Sequence, residues 1–246
     1  MTTRAEFMGR LRGELGKTSG LFSATVTERP ADPAALADTI RRELAERWPE
    51  TLARFREEFE RVGGVFYRVS TLAAVADVVN VIARERDARR VVTWHPAVLG
   101  VDVGPSLRAG GLEVTAMPRA GEIDLARGEL RDVIAAAEVG LTGADLAVAE
   151  TGTLVLVSGG GRPRSTSLLP AYHVAVFDRS ALVESLAQVG VFLEAWHGDG
   201  GAPGDGGAIN FITGPSRTAD IELTLTRGVH GPREVHAIFV EAPPGG

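Results

Sequence analysis

The chain has 246 residues, 44% of them hydrophobic and 24% charged, enough for one substantial core or a core with a helical extension. Its 32 acidic residues outnumber 26 basic ones, giving a net charge of −6 without a long basic run, which argues against nucleic acid as a partner. The absence of cysteine excludes disulfides, thiolate chemistry and any iron–sulfur cluster ligated by this chain's own thiolates, and a cytoplasmic location is expected.

The first sixty residues read as helix. Phe7, Leu11 and Leu15 recur every fourth residue, and "MTTRAEFMGRLRGELG" lacks the apolar stretch of a signal peptide. After "GLFSATVTERPADP" breaks the pattern, Asp32 stands as an N-cap with Pro33 at the first helical position. Leu36, Ile40 and Leu44 form the next stripe. Pro49 kinks or restarts the helix, and Leu52, Phe55, Phe59 and Val62 carry on until Gly63-Gly64. The dense Arg and Glu of "RFREEFER" read as a solvated face.

From residue 65 strands and helices alternate. "VFYRV", "RRVVTW", "LEVTAM", "DLAVAE", "GTLVLVSG", "AYHVAVF", "AINFITG" and "EVHAIFVE" are predicted strands. Helices are predicted after Ser70, over "ELRDVIAAAEVG" ending at Gly140, and over "SALVESLAQVG". Such a chain makes an α/β fold with a mixed, mainly parallel sheet covered by helices on both faces. "DLAVAE" and "GTLVLVS" are linked too closely for a crossover and must form a hairpin or a bent strand. The domain division is an N-terminal helical extension over 1–64 and an α/β domain over 65–246. The Gly-rich segment 198–208 reads as a connector, and no segment is apolar enough to span a bilayer.

Three polar stretches lie at strand ends. In "AVAETGTLVLVS", Glu150 closes a strand and is placed to act as acid, base or nucleophile, with Thr151, Gly152 and Thr153 forming an anion-binding turn. The plainer reading is a hairpin turn with a solvated Glu. In "FITGPSRTADIELTL", Thr213, Gly214, Ser216 and Thr218 surround a turn ahead of a predicted helix whose cap is Ser216 or Thr218. Arg217 offers a bidentate grip on a carboxylate or phosphate, while Asp220 and Glu222 fall in the helix's first turn. In "RGVHGPREVH", His230 sits in a rigid turn suited to proton transfer or to tying down that turn. His173 and His236 read as core histidines. "SGGGRPRSTS", with Arg162 and Arg164, is Gly-rich but follows no dinucleotide pattern. No metal is expected, because His197, Asp199 and Asp205 share a loop at no ligand spacing. Lys17 is the one lysine, and it follows no Gly-rich strand-to-helix turn, which argues against Schiff-base and phosphate-loop mechanisms.

Together "EVGLTGADLAVAETGTLVLVS", "SLLPAYHVAVF" and "ITGPSRTADIELTLTRGVHGPREVHAIFV" resemble the LUD domain of bacterial lactate-utilization proteins, over roughly residues 65–241 and most closely from Glu138 onward. The resemblance implies an isomerase/CoA-transferase-like fold and a part in oxidising L-lactate to pyruvate beside partner proteins that carry iron–sulfur clusters. No cofactor is expected in this chain. On chemistry, Glu150, Asp220 and His230 are the candidate acid–base residues. Thr151, Gly152, Thr153, Thr213, Gly214, Ser216, Arg217, Thr218 and Glu222 are the candidate contacts for a small anionic ligand. Two other functions fit the same residues. One is a stand-alone CoA-transferase-like or sugar-phosphate-isomerase-like enzyme, and the other is a ligand-sensing or scaffold protein without turnover.

Overall fold

The computed structural model describes residues 3–17, 30–119, 127–197, 203, 207–218 and 226–242. The helices in chain order are α1 (Arg4–Lys17), α2 (Pro33–Arg61), α3 (Val75–Glu85), α4 (Pro96–Leu99), α5 (Gly104–Ala109), α6 (Arg127–Ala136) and α7 (Leu186–His197). The strands are β1 (Val65–Val69), β2 (Arg90–Thr93), β3 (Glu113–Ala116), β4 (Val139–Gly143), β5 (Leu146–Val148), β6 (Thr153–Val157), β7 (Tyr172–Asp178), β8 (Leu182–Val183), β9 (Ile209–Ile212), β10 (Arg217–Thr218), β11 (Thr226–Arg227) and β12 (Glu234–Val240).

The main sheet has six strands in the order β1-β12-β7-β4-β2-β3, and every neighbouring pair is parallel. Its central strands are buried on both faces, which is why they read as nearly continuous Val, Ile and Leu. On one face Val174, Val176, Ile238 and Val240 meet Val75, Val79 and Ile82 of α3 and Leu107 of α5. On the other face Ala175, Phe177, Ala237 and Phe239 meet Phe55 and Phe59 of α2. α6 adds Ile134 against Val92. A second sheet, β8-β5-β6-β9, is mixed: β5 and β6 form a hairpin, β9 runs antiparallel to β6 and β8 parallel to β5, while β10 and β11 form a separate antiparallel pair.

Helix α2 starts where the capping residues place it, with the Asp32 carboxylate accepting the Ala35 N–H at 2.9 Å. Arg47 leaves helical geometry (φ −121°, ψ 22°) two residues before Pro49. Proline lacks an N–H and its ring crowds the preceding turn, so the helix bends there. The bend lets one helix serve two cores. Ala37, Ile40 and Leu44 cover one face of the small sheet, with Val148, Val155 and Phe192. Leu52, Phe55 and Phe59 enter the core between the two sheets, with Ala147, Leu154 and Phe239. The change of sequence pattern at residue 64 is therefore crossed by a continuous core.

Two predicted helices are corrected. The one over "ELRDVIAAAEVG" stops at Ala136, and Val139–Gly143 is the central strand β4. Gly140 fits that strand because a Cβ there would run into the Thr166 carbonyl oxygen of a short 3-10 turn packed on the sheet. The helix predicted over "SALVESLAQVG" begins only at Leu186, after a 3-10 turn over Arg179–Ala181 and the two-residue strand β8. Leu182 and Val183 are buried in parallel pairing with β5, an apolar demand that helical periodicity does not reveal.

Candidate functional site

Two of the three polar turns pack on the C-terminal end of α2, and the third is clamped to one of them. Gly152 has φ +60°, and a Cβ there would lie 2.5 Å from the Glu58 carbonyl carbon and 2.6 Å from the Phe59 Cα. The Thr151-Gly152 turn is thus pressed against the helix backbone. Gly214 (φ +77°) faces the Val62 carbonyl in the same way. Thr151, Thr153 and Thr213 join in a chain of hydroxyls, with Oγ1–Oγ1 distances of 2.7 and 2.8 Å. The Arg217 Nη2 donates to the Val62 carbonyl oxygen, where the last carbonyls of a helix lack partners and the helix dipole favours a cation. Ser216 donates its N–H to the Pro232 carbonyl at 2.9 Å and accepts from the Gly228 N–H at 3.1 Å, which clamps the "TGPSR" and "GVHGP" turns together.

The predicted site residues are therefore only partly united. His230 is exposed on the clamped turn. Glu150 is tied elsewhere: its Oε2 accepts the Leu186 N–H at the start of α7 at 2.9 Å, and its own N–H donates to the Glu184 carbonyl. Arg217–Thr218 is a short strand paired antiparallel with Thr226–Arg227, and the helix expected over 219–225 lies outside the described residues. Asp220 and Glu222 lie outside the described residues.

A different cleft opens at the carboxyl ends of the parallel strands. After β2 the chain moves to β3 on one side, and after β4 it moves to β7 on the other, so β2 and β4 flank a topological switch point. Ligand sites of open α/β sheets gather at such places. A cavity of about 330 Å³ lies there, walled by Trp94 after β2, Gly143 to Asp145 at the end of β4, and Asp178 with Ser180 after β7. Arg162, brought in by the loop after β6, completes the wall. Its Nη2 donates to both Asp145 oxygens at 2.5 Å, and its guanidinium lies 4.6 Å from the Trp94 ring centroid. Asp145 also accepts the Val157 N–H at 2.6 Å. The Asp145 and Arg162 side chains are only 11% and 7% exposed. Burial raises the Asp145 carboxyl above its ordinary range, outweighing the opposite pull of Arg162. The Arg162 Nε–H is buried and has no partner among the described residues.

At the opposite end of the sheet the core histidines are as expected. His173 Nε2 lies 2.9 Å from Thr142 Oγ1, and His236 Nε2 lies 3.0 Å from Glu234 Oε2. Burial holds both imidazoles far below their usual range, to about 3 for His173 and about 4 for His236, the latter lowered further by Arg86. Among the described residues no group of three or more His, Asp or Glu side chains is placed to hold a metal ion.

The family model of the LUD domain matches residues 52–240. The chain belongs to the LUD-domain family. A protein of Halalkalibacterium halodurans named lactate utilization protein C is 40% identical over 164 residues, covering 65% of this chain and 66% of the relative. A Shouchella clausii protein of the same name is 44% identical over 105 residues, covering 43% of this chain and 44% of the relative. The aligned segments thus leave a third or more of these relatives unmatched. A crystal structure of a DUF162 family protein from Deinococcus radiodurans shares the fold, with a TM-score of 0.50 and 24% identity over 78% of this chain and 97% of that one.

Sequence reasoning about this LUD domain passed over Asp145, Trp94 and the role of Arg162. Asp145 lies just beyond β4; the sequence reads Val139 and Gly140 of that strand as the tail of a helix and Asp145 as the first residue of the strand "DLAVAE". Arg162 lies seventeen positions further on, and only the β5–β6 hairpin returns it to Asp145. The usable signal was the pair "TWH" and "TGAD", each a polar end to an apolar run.

Proposed function

We propose that this chain is a non-redox subunit of a bacterial system that oxidises L-lactate to pyruvate, binding a small anionic ligand and working with iron–sulfur partner proteins. The observation that carries this reading is kinship, at about 40% identity, with proteins named lactate utilization protein C. The oxidation removes two electrons and two protons, and a cysteine-free chain offers no thiolates to ligate a cluster that would receive the electrons. That division of labour assigns electron transfer to the partners and leaves binding or support to this chain. A free carboxylate nucleophile at Glu150, as a CoA transferase of this fold would need, gains no support from its engagement with the start of α7. The test is deletion of the gene followed by growth on L-lactate as the carbon source, together with affinity purification of the tagged chain. Impaired growth and co-purified iron–sulfur proteins are expected. Undiminished growth and a chain recovered without such a partner would discard the reading.

A further inference from the structure

We infer that the switch-point cleft binds a small 2-hydroxy or 2-oxo monocarboxylate, with Arg162 as its charged contact and Trp94 as part of its wall. The choice of an acid on the lactate–pyruvate level rests on the function proposed above; the location and the ligand charge rest on the cleft itself.

The unmet demand in this wall is for an acceptor. The Arg162 side chain is nine-tenths buried, its Nη2 is committed to Asp145, and its Nε–H has no partner among the described residues. A buried donor left unpaired is costly, the more so when its group is charged. A carboxylate or carbonyl oxygen arriving in the cleft relieves that cost after a small side-chain adjustment. Asp145, on the same wall beside Arg162, is placed to accept a ligand hydroxyl.

The same wall selects against polyanions. It holds one guanidinium against the carboxylates of Asp145 and Asp178. A phosphate dianion would meet two like charges with one cation, whereas phosphate sites recruit several donors or a helix N-terminus. Asp178 is itself partly satisfied, accepting from the Ser180 N–H at 2.7 Å and its hydroxyl at 2.5 Å. The remaining surface is apolar, from Leu72, Val98, Leu99 and Val240. A cavity of about 330 Å³ corresponds to about eleven water molecules' share of liquid volume, ample for a three-carbon acid with its waters.

Gly143 gives a way to close the cleft without disturbing the fold. It lines the cavity, and a Cβ there would make only ordinary contacts, 3.6 Å to Trp94 and 3.9 Å to Leu99. The experiment is calorimetric titration of the purified full chain with L-lactate, pyruvate, acetate and inorganic phosphate. It is repeated for Gly143→Leu, for the paired variant Asp145→Asn/Arg162→Gln, and for Arg217→Gln. The paired variant removes both charges together, so no lone buried charge is left. Binding of lactate or pyruvate is expected, tighter than acetate or phosphate, at least tenfold weaker in both cleft variants, and within twofold of the parent in Arg217→Gln. The inference is overturned if no monocarboxylate binds, if phosphate binds best, or if Gly143→Leu binds like the parent. Complementation of the deletion strain separates the two proposals. If the parent gene restores growth on lactate and Gly143→Leu restores it equally, the cleft is discarded while the role in lactate use stands. If deletion leaves growth unchanged, the role is discarded, and the cleft is judged on the titrations alone.

Discussion

Replacing Gly152 by alanine tests whether the "ETGT" turn is built to receive α2. The perturbation has two parts. An L residue held at φ +60° costs about 1–2 kcal/mol of backbone strain. The new Cβ would also sit 2.5–2.6 Å from backbone atoms of Glu58 and Phe59, where carbon atoms prefer about 3.5–4.0 Å. Backbone cannot rotate aside as a side chain can, so the helix must retreat by about 1 Å. A gap of that size forfeits at least about a quarter of the packing of the atoms it separates. Phe55 and Phe59 are fully buried on this helix, and truncating a buried Phe costs about 3–5 kcal/mol. A quarter of two such losses is about 2 kcal/mol, which brings the total to about 3–4 kcal/mol. Equilibrium urea unfolding is the assay, with a drop in melting temperature of about 10 °C as its thermal counterpart. A loss below about 1 kcal/mol would refute the argument and free Gly152 for another role.

Other outcomes follow from the same packing. Gly190→Ala, an exposed site inside α7 with no atom of the described residues within 4 Å of the added Cβ, should stabilise the protein by about 0.5–1 kcal/mol in the same assay. Asp145→Asn leaves Arg162 as a buried, uncompensated cation and should cost about 3–5 kcal/mol, whereas the paired Asp145→Asn/Arg162→Gln variant should recover part of that loss. Arg217→Gln removes a cation from the end of α2 at an exposed position and should cost no more than about 1 kcal/mol by thermal melting. Acid should weaken the fold through His173 and His236. Both stay neutral when folded but protonate near 6.5 when unfolded, so their contribution is complete above that pH and falls as pH drops toward their folded values of about 3 and about 4. At pH 5 each should cost about 2 kcal/mol, and His236→Asn should remove roughly half of the difference between urea midpoints at pH 7.5 and pH 5.

Much of the fold was legible because burial leaves a pattern in the residues themselves. The stripes Ile40–Leu44 and Phe55–Phe59 and the runs "AYHVAVF" and "EVHAIFV" each lie where their periodicity places them. The two misread helices failed for a shared reason. "AAAEVGLTG" and "SALVES" are short, rich in small residues and ambiguous in period, and pairing partners far along the chain decide their state. The predicted site fared by the same rule. "TGPSR" and "GVHGP" do come together, but Arg217 spends its charge on a helix end that lies 155 residues earlier, a partner that no local spacing announces.

The sequence by itself determined what this protein is built from and what it lacks. The hydrophobic periods set the helices and strands, the missing cysteines and the lone Lys17 removed whole classes of chemistry, and the combination of strand-end motifs pointed to the LUD domain. Tertiary structure decided which polar residues face one another. Glycines that looked like room for a ligand are where α2 seats its backbone, since a Cβ fills the same space that a ligand would. The Asp145–Arg162 pair at the switch point exists only because strand order puts β4 beside β2 and a hairpin returns Arg162 to the same edge. Strand order is set by packing among distant segments, and that is information a linear reading does not contain.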